Sequence, residues 1–313
     1  AVFNMVVANV IRGEGYSLHA GLGLSLGGVL NIALDPFFVL PFGLNMNIKG
    51  AAIATLISNV VTTLYFAILL IVISKKSVVS FSPKKACLAI KEKIARNVLF
   101  TGLPSALQTM LSAVSNLVLN SLMIGYGETA EAAIGVTKKI DAVPFGMVTG
   151  LAQGAAPLIA YNNGAKKYDK MKTTLKLSLC YCVGLAITVL IVVESAAGAL
   201  IEVFIKDAST VTYGEKFLRL HCASLPFMAV TFMLVSYFQA VGAKGKAFLL
   251  SIIRKCIVDI PLMYLLNVLI PVYGIVACQP ITDVISATVG VILYVLWKKK
   301  FQKTEEEQEI IVQ

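Results

Sequence analysis

Nine apolar stretches run along this chain, at about 1–12, 17–42, 50–73, 97–124, 132–161, 173–204, 213–241, 247–270 and 273–297, against the ~20 residues a membrane-spanning helix needs. The first is about half a span. Pro36, Pro104, Pro144, Pro157, Pro226 and Pro261 fall inside these runs, which suits helices buried in a bundle, where neighbours satisfy the freed backbone groups. Hydrophobic residues make up 58 % of the 313 positions and charged residues 14 %, well away from the roughly one quarter charged of a soluble domain. The pattern is that of an integral membrane protein.

A second pattern is a repeat. Ala8-Asn9-Val10-Ile11-Arg12-Gly13-Glu14-Gly15, Asp35-Pro36 and Gly50-Ala51-Ala52-Ile53-Ala54 return as Phe238-Gln239-Ala240-Val241-Gly242-Ala243-Lys244-Gly245, Asp259-Ile260-Pro261 and Gly274-Ile275-Val276-Ala277. The order is kept, and Asp35 with Asp259 and Gly50 with Gly274 share the offset 224. An internal repeat in a polytopic protein is the mark of a transporter made of two related halves around a substrate path.

The net charge of +10 does not point to nucleic acid once its placement is read. Eighteen of the 27 Lys and Arg fall in alternate loops, at Arg12, across residues 75–96, 166–172 and 244–246, and at Lys298, Lys299, Lys300 and Lys303. The intervening loops carry Glu128, Glu131, Asp207 and Glu215. The positive-inside rule puts the basic loops and the C-terminus in the cytoplasm, hence a multi-pass protein of the plasma membrane. Cys87, Cys180, Cys182, Cys222, Cys256 and Cys278 show no CxxC or Cys/His spacing and read as small apolar residues, with no metal or cofactor implied.

The expected organisation is residues 1–73 as the end of a first lobe, 74–96 as a cytoplasmic linker, 97–300 as a complete six-helix second lobe, and 301–313 as a polar, disordered tail. The chain starts at Ala1 without an initiator methionine or the charged n-region of a signal peptide, so translation is expected to start further upstream and the chain to be a fragment. Two spans and a half against six make the first lobe incomplete by about 130 residues, within an intact protein of roughly 450 residues and twelve spans. The fold class expected is all-α and polytopic, with two six-helix bundles related by a pseudo-two-fold axis along the membrane normal.

Arg12-Gly13-Glu14-Gly15, Asn31-Ile32-Ala33-Leu34-Asp35-Pro36, Gly50-Ala51-Ala52-Ile53-Ala54-Thr55, Gly102-Leu103-Pro104-Ser105-Ala106-Leu107 and Ala160-Tyr161-Asn162-Asn163-Gly164-Ala165 together resemble the multidrug and toxic-compound extrusion (MATE) family. The resemblance covers the chain to about residue 300. It implies a V-shaped cavity between lobes and export of amphipathic, often cationic, drug-like compounds by a monomer, driven by inward sodium or proton flow. Members that couple through the second lobe carry acids in stretches matching Leu103–Asn120 and Leu220–Gln239, where this chain has none. Other members use an acid in the first helix, which is absent here, leaving Asp35 and its neighbours as the first-lobe site.

Asp35 stands about six residues from the outer end of its run, ~9 Å inside at ~1.5 Å per residue. A carboxylate at that depth needs a cation, a proton or water. Asn31 lies one turn earlier on the same face, and Pro36 cannot bond to the carbonyl of Ile32. Asp35, Asn31 and Ile32 thus form the expected ion-coupling set, whose oxygens suit a hard cation. The alternative role for Asp35 is to tie a kinked helix to its neighbours. Lys138 and Lys139 are placed ~10 Å into their helix beside Asp141, while Arg254 and Lys255 precede Asp259 by five and four residues, either pairing within the helix or snorkelling to the cytoplasm. Asp141, Lys139, Gln108, Asn116, Met147, Gln239 and Asp259 are the expected substrate-cavity residues. Asn120, Gln153 and Gln279 add uncharged polar groups within spans, and Met110, Met228, Met233, Phe145, Phe227 and Phe232 offer an adaptable apolar wall. Arg12 and Glu14 are expected to form an inner gate or hold the helix turn.

Three other classes bear on the same residues. A flippase for lipid-linked sugars, from the same superfamily, would draw on Lys138, Lys139, Arg254 and Lys255 to meet a pyrophosphate. A membrane enzyme is disfavoured, because His19 and His221 have no metal spacing and no G-x-S-x-G nucleophile occurs. A channel or passive scaffold would show ungated flux.

Overall fold

The computed structural model describes residues 1–40, 43–73 and 94–312, with side chains to residue 299. Two compact units are present, Ala1–Ala95 and Arg96–Gln313, so the boundary falls at the end of the expected linker, whose residues 74–93 lie outside the described residues.

Among the described residues the first unit has three complete helices: α1, Val2–Gly13, α2, Ser17–Val39, and α3, Asn47–Ile73. Asn4, Val7, Ala8 and Ile11 recur every three or four residues along α1 and are its buried face. Val7, Ala8 and Ile11 meet Ala20 of α2 and Phe66 of α3 in a small core. α2 stops at Val39, three residues before the end of its apolar run, because Leu40 precedes Pro41 and takes an extended backbone with ψ 155°. Asp35 is therefore four residues, about 6 Å, from its helix end. Gly50 opens α3 against the end of α2, where a Cβ would lie 2.5 Å from the carbonyl oxygen of Phe38; only glycine fits that approach.

The second unit is built of six helical segments among the described residues. They are α4, Ile94–Ile124; α5, Glu128–Gly164; α6, Tyr168–Glu202; the pair α7, Ala208–Cys222, and α8, Leu225–Ala240, bent by 42°; a rod of α9, Lys244–Ile252, a π-helical stretch Ile253–Asp259 and α10, Ile260–Leu269; and α11, Tyr273–Val312. α5 begins four residues before its apolar run, since Glu128 and Glu131 complement the positive end of the helix dipole. That puts Lys138 about 15 Å into α5 rather than 10. The π stretch ends two residues before Pro261, whose missing N–H and crowding ring leave preceding carbonyls without their usual donor, a common cause of a widened turn. α11 carries on through residues 301–312, where the polar tail was expected to be disordered; Glu, Gln and Lys extend a helix that is already nucleated.

α5, α6, α7, α8 and α11 pack around one large core that includes Cys182, Ala186, Ile201, Leu225 and Phe238. α4 is attached differently, mainly by side-chain hydrogen bonds and, near its end, by Leu119 and Met123. Six helices are long and apolar enough to cross a membrane, seven with the bent pair, among the described residues. Leu18, Ile32, Ile71, Leu99, Tyr161 and Val268 are among the exposed apolar side chains, which a bilayer would cover.

Candidate functional site

In the first unit, Asn31 Nδ2 lies 3.4 Å from Asp35 Oδ1 and 3.4 Å from Thr55 Oγ1 of α3. Both contacts are long, so the amide bridges two helices loosely. Asp35 is half-buried, and no Lys, Arg or His lies within 4 Å of it among the described residues. Ile32 points its side chain outward at 73 % exposure, so its contribution is limited to the carbonyl that Pro36 leaves without a helical donor. Beside this triad is a hollow of about 250 Å³ lined by Asn4, Asn31, Thr55, Ser58, Asn59 and Thr62. Asn4 was not singled out from the sequence; its amide donates to the Asn59 carbonyl at 3.1 Å and accepts from Thr63 at 2.8 Å, joining α1 to α3.

The second unit holds a denser cluster. Lys255 Nζ donates to Asp259 Oδ2 at 2.8 Å and to Gln279 Oε1 at 3.2 Å. Ser115 of α4 donates to the same Asp259 oxygen at 2.6 Å, and Cys278 and Thr282 of α11 approach the other at 3.5 Å. Arg254 turns across to Asp283 of α11, Nε to Oδ1 2.6 Å, with Phe232 stacked 4.9 Å from its guanidinium. Arg254 and Lys255 are 2 % and 7 % exposed, so they are sealed in ion pairs and do not snorkel. Pairing within the helix holds for Lys255 and Asp259 but not for Arg254. Asp283, fully buried, was missed; a lone acid in an apolar run was the available signal.

Two hollows adjoin this cluster. The first, about 240 Å³, is lined by Asn116, Lys138, Asp141, His221, Arg254, Lys255 and Gln279, among others. Lys138 is hydrogen-bonded to Asn116. His221 Nε2 lies 3.3 Å from Asp141 Oδ2, while His221 Nδ1 is buried without a partner among the described residues. The second, about 530 Å³, shares Asn116 and Phe145 with the first and adds Ser105, Gln108, Gln153, Phe232 and Gln239. Gln239 donates to Ser105 at 2.7 Å, and Phe145 meets Phe232 edge to face at 5.4 Å.

Of the expected cavity residues, Asp141, Asn116, Gln108 and Gln239 line these hollows. Asp259 sits behind the first, covered by Lys255. Lys139 and Met147 are exposed and line neither. Lys138, not Lys139, lines the smaller hollow, because one residue turns a helical side chain by about 100°. Met228 lines the smaller hollow, Met233 lies in the core, and Met110 and Phe227 are exposed. Arg12 donates to Asn9 at 3.1 Å, and Glu14 is the residue just beyond α1, where the chain turns at Gly15 with φ +93°. Among the described residues no three His, Cys, Asp or Glu form a group able to hold a metal ion.

An all-helical, multi-span protein with buried charges facing polar hollows is of the transporter class. The MatE family model matches residues 104–265, slightly more than half the chain, and the chain belongs to that family. Members of this family are transporters, not enzymes. The multidrug export protein MepA of Staphylococcus saprophyticus is 28 % identical over 302 residues, 96 % of this chain and 65 % of the relative. Its namesake in Staphylococcus aureus strain N315 is 28 % identical over 306 residues, 98 % and 66 % respectively. The chain thus spans just under two thirds of the length of these relatives. Among solved structures, an outward-facing multidrug resistance MATE family transporter of the MOP superfamily superposes with TM-score 0.85 at 25 % identity, covering 96 % of this chain and 67 % of that one. A MATE in complex with MaL6 gives the same figures.

Proposed function

We propose that the complete protein is an ion-coupled exporter of amphipathic, drug-like compounds, working by alternating access in the plasma membrane with sodium or protons as the coupling ion. The observation that carries this reading is the contrast between the two acids. Asp259 is neutralised by Lys255 at 2.8 Å, whereas Asp35 faces an amide at 3.4 Å. Among the described residues Asp35 has no counter-ion, and a half-buried carboxylate so placed favours uptake of a cation or proton. The Thr55 hydroxyl and the Ile32 carbonyl supply neutral oxygens of the kind a hard monovalent ion prefers, and the Asn31 amide, whose nitrogen faces Asp35 and Thr55, adds its oxygen once it turns over. The hollows of the second unit combine Phe145, Phe232, Met228 and uncharged amides, a surface able to repack around varied ligands. The names of the staphylococcal relatives agree with drugs as the substrate class.

The test is ethidium export by cells expressing the complete gene in an efflux-deficient host under imposed sodium or proton gradients. Export driven by one gradient and lost in Asp35→Asn is the expected result. Gradient-driven export that survives Asp35→Asn removes Asp35 from the coupling step. No export by the unaltered protein favours the flippase reading, for which Lys138, Arg254 and Lys255 around one hollow are the supporting observation.

A further inference from the structure

The repeat seen in the sequence returns as a repeated side-chain geometry. The offset of 224 that relates Asp35 to Asp259 also relates Asn31 to Lys255 and Thr55 to Gln279. In the first unit Asn31 bridges Asp35, one turn on, and Thr55 of the next helix. In the second, Lys255 bridges Asp259, one turn on, and Gln279 of the next helix. Each bridging residue therefore has a carboxylate four residues ahead and a polar side chain on the following helix. What differs is the charge on the bridge: a neutral amide in one unit, an ammonium in the other.

We propose that the Lys255 ammonium is a tethered cation occupying, in the second unit, a monovalent-cation site equivalent to the one at Asp35, so that Asp259 belongs to a latent ion site closed by its own lysine. This rests on the reading of Asp35 as the coupling carboxylate. An ammonium and a small monovalent metal ion make the same demand, several oxygens converging on one positive centre. The site is built for that: Asp259 Oδ2 and Gln279 Oε1 lie at 2.8 and 3.2 Å from the ammonium, and Ser115 braces the same carboxylate oxygen at 2.6 Å. Lys255 and Asp259 are 7 % and 1 % exposed, and the ammonium is paired with a carboxylate at close range. Lys255 cannot leave, so the second unit cannot cycle an ion, which agrees with the absence of acids in Leu103–Asn120 and Leu220–Gln239.

The experiment uses the complete protein carrying Asp35→Asn, so that the first unit contributes no ion binding, and compares it with the same protein carrying Lys255→Asn as well. Radioactive sodium binding and thermal unfolding in sodium or ammonium chloride, against choline chloride, are the readouts. Lys255→Asn is expected to take binding from none to one sodium per chain and to raise the unfolding midpoint by about 5 °C at saturating salt. Adding Asp259→Asn should abolish both gains. Folded Lys255→Asn protein obtained only when sodium or ammonium is present throughout purification also supports the proposal. A folded variant without a cation response, a response that survives Asp259→Asn, or no folded protein in any salt overturns it. Sodium binding that persists with Asp35→Asn alone instead overturns the assignment of Asp35, and the gain at Asp259 is then read above that baseline.

Discussion

His221 Nε2 and Asp141 Oδ2 lie 3.3 Å apart, joining the end of α7, next to its bend into α8, to the middle of α5. This pair links the bent span to the helix that also carries Lys138, and both residues face the same hollow. Asp141→Ala removes the partner of Nε2 and so leaves both ring nitrogens of a 7 % exposed histidine unpartnered among the described residues. A loss of about 1–3 kcal/mol is expected in thermal or denaturant unfolding of purified protein, and His221→Leu with Asp141→Ala should recover part of it.

Arg254 and Asp283 make a sealed pair at 2.6 Å with side chains 3 % and 0 % exposed. Removing one charge strands the other, so Arg254→Leu is expected to cost about 3–5 kcal/mol. Arg254→Leu with Asp283→Asn should be markedly more stable than the single variant, and the double-mutant cycle in detergent measures the coupling.

Gly274 opens α11 with its Cα against the end of α10, where a Cβ would stand 2.2 Å from the Leu266 carbonyl oxygen. The obstacle is backbone, which cannot swing aside. Gly274→Ala is expected to lower the unfolding midpoint more than alanine at Gly245, where a Cβ meets nothing within 4 Å.

Asp207, in the short connection before α7, accepts from Thr210 N at 2.9 Å and from the hydroxyls of Ser209 and Thr210, which hold its carboxyl at about 2 against an ordinary 3.8. Because the folded value is the lower one, the stabilisation is fully present above the ordinary value and is lost as pH falls through about 2. Asp207→Ala should therefore be less stable than the parent at neutral pH, and the two midpoints should converge toward pH 2. The cap is solvent-exposed, so added salt should narrow the difference too.

Much of the fold was legible because apolar length marks out helices in a membrane protein, and the nine runs correspond to α1, α2, α3 and the six helical segments of the second unit. Helix ends moved where local chemistry outweighed hydropathy, at Leu40 before Pro41 and at Glu128. The polar sites were legible only by type. Asp35, Asp141 and Asp259 stood out because acids are rare in spans, but which partner neutralises each depends on crossings between helices. The π stretch was not legible, since no residue type in Ile253–Asp259 marks a widened turn; from it Arg254 reaches Asp283 of α11 while Lys255 stays on Asp259. Lys138 and Lys139, adjacent in sequence, could be told apart only by helical phase.

Hydrogen bonds hold α4 along its length, from Lys244 to the Asn97 carbonyl, Gln239 to Ser105, Ser115 to Asp259 and Lys138 to Asn116, and Tyr126 just beyond its end bonds to Asn267. Such bonds can be traded one at a time for bonds to water, whereas an interlocked core must open voids before anything moves. α4 is thus latched to its neighbours, and each latch can be undone without unseating the next.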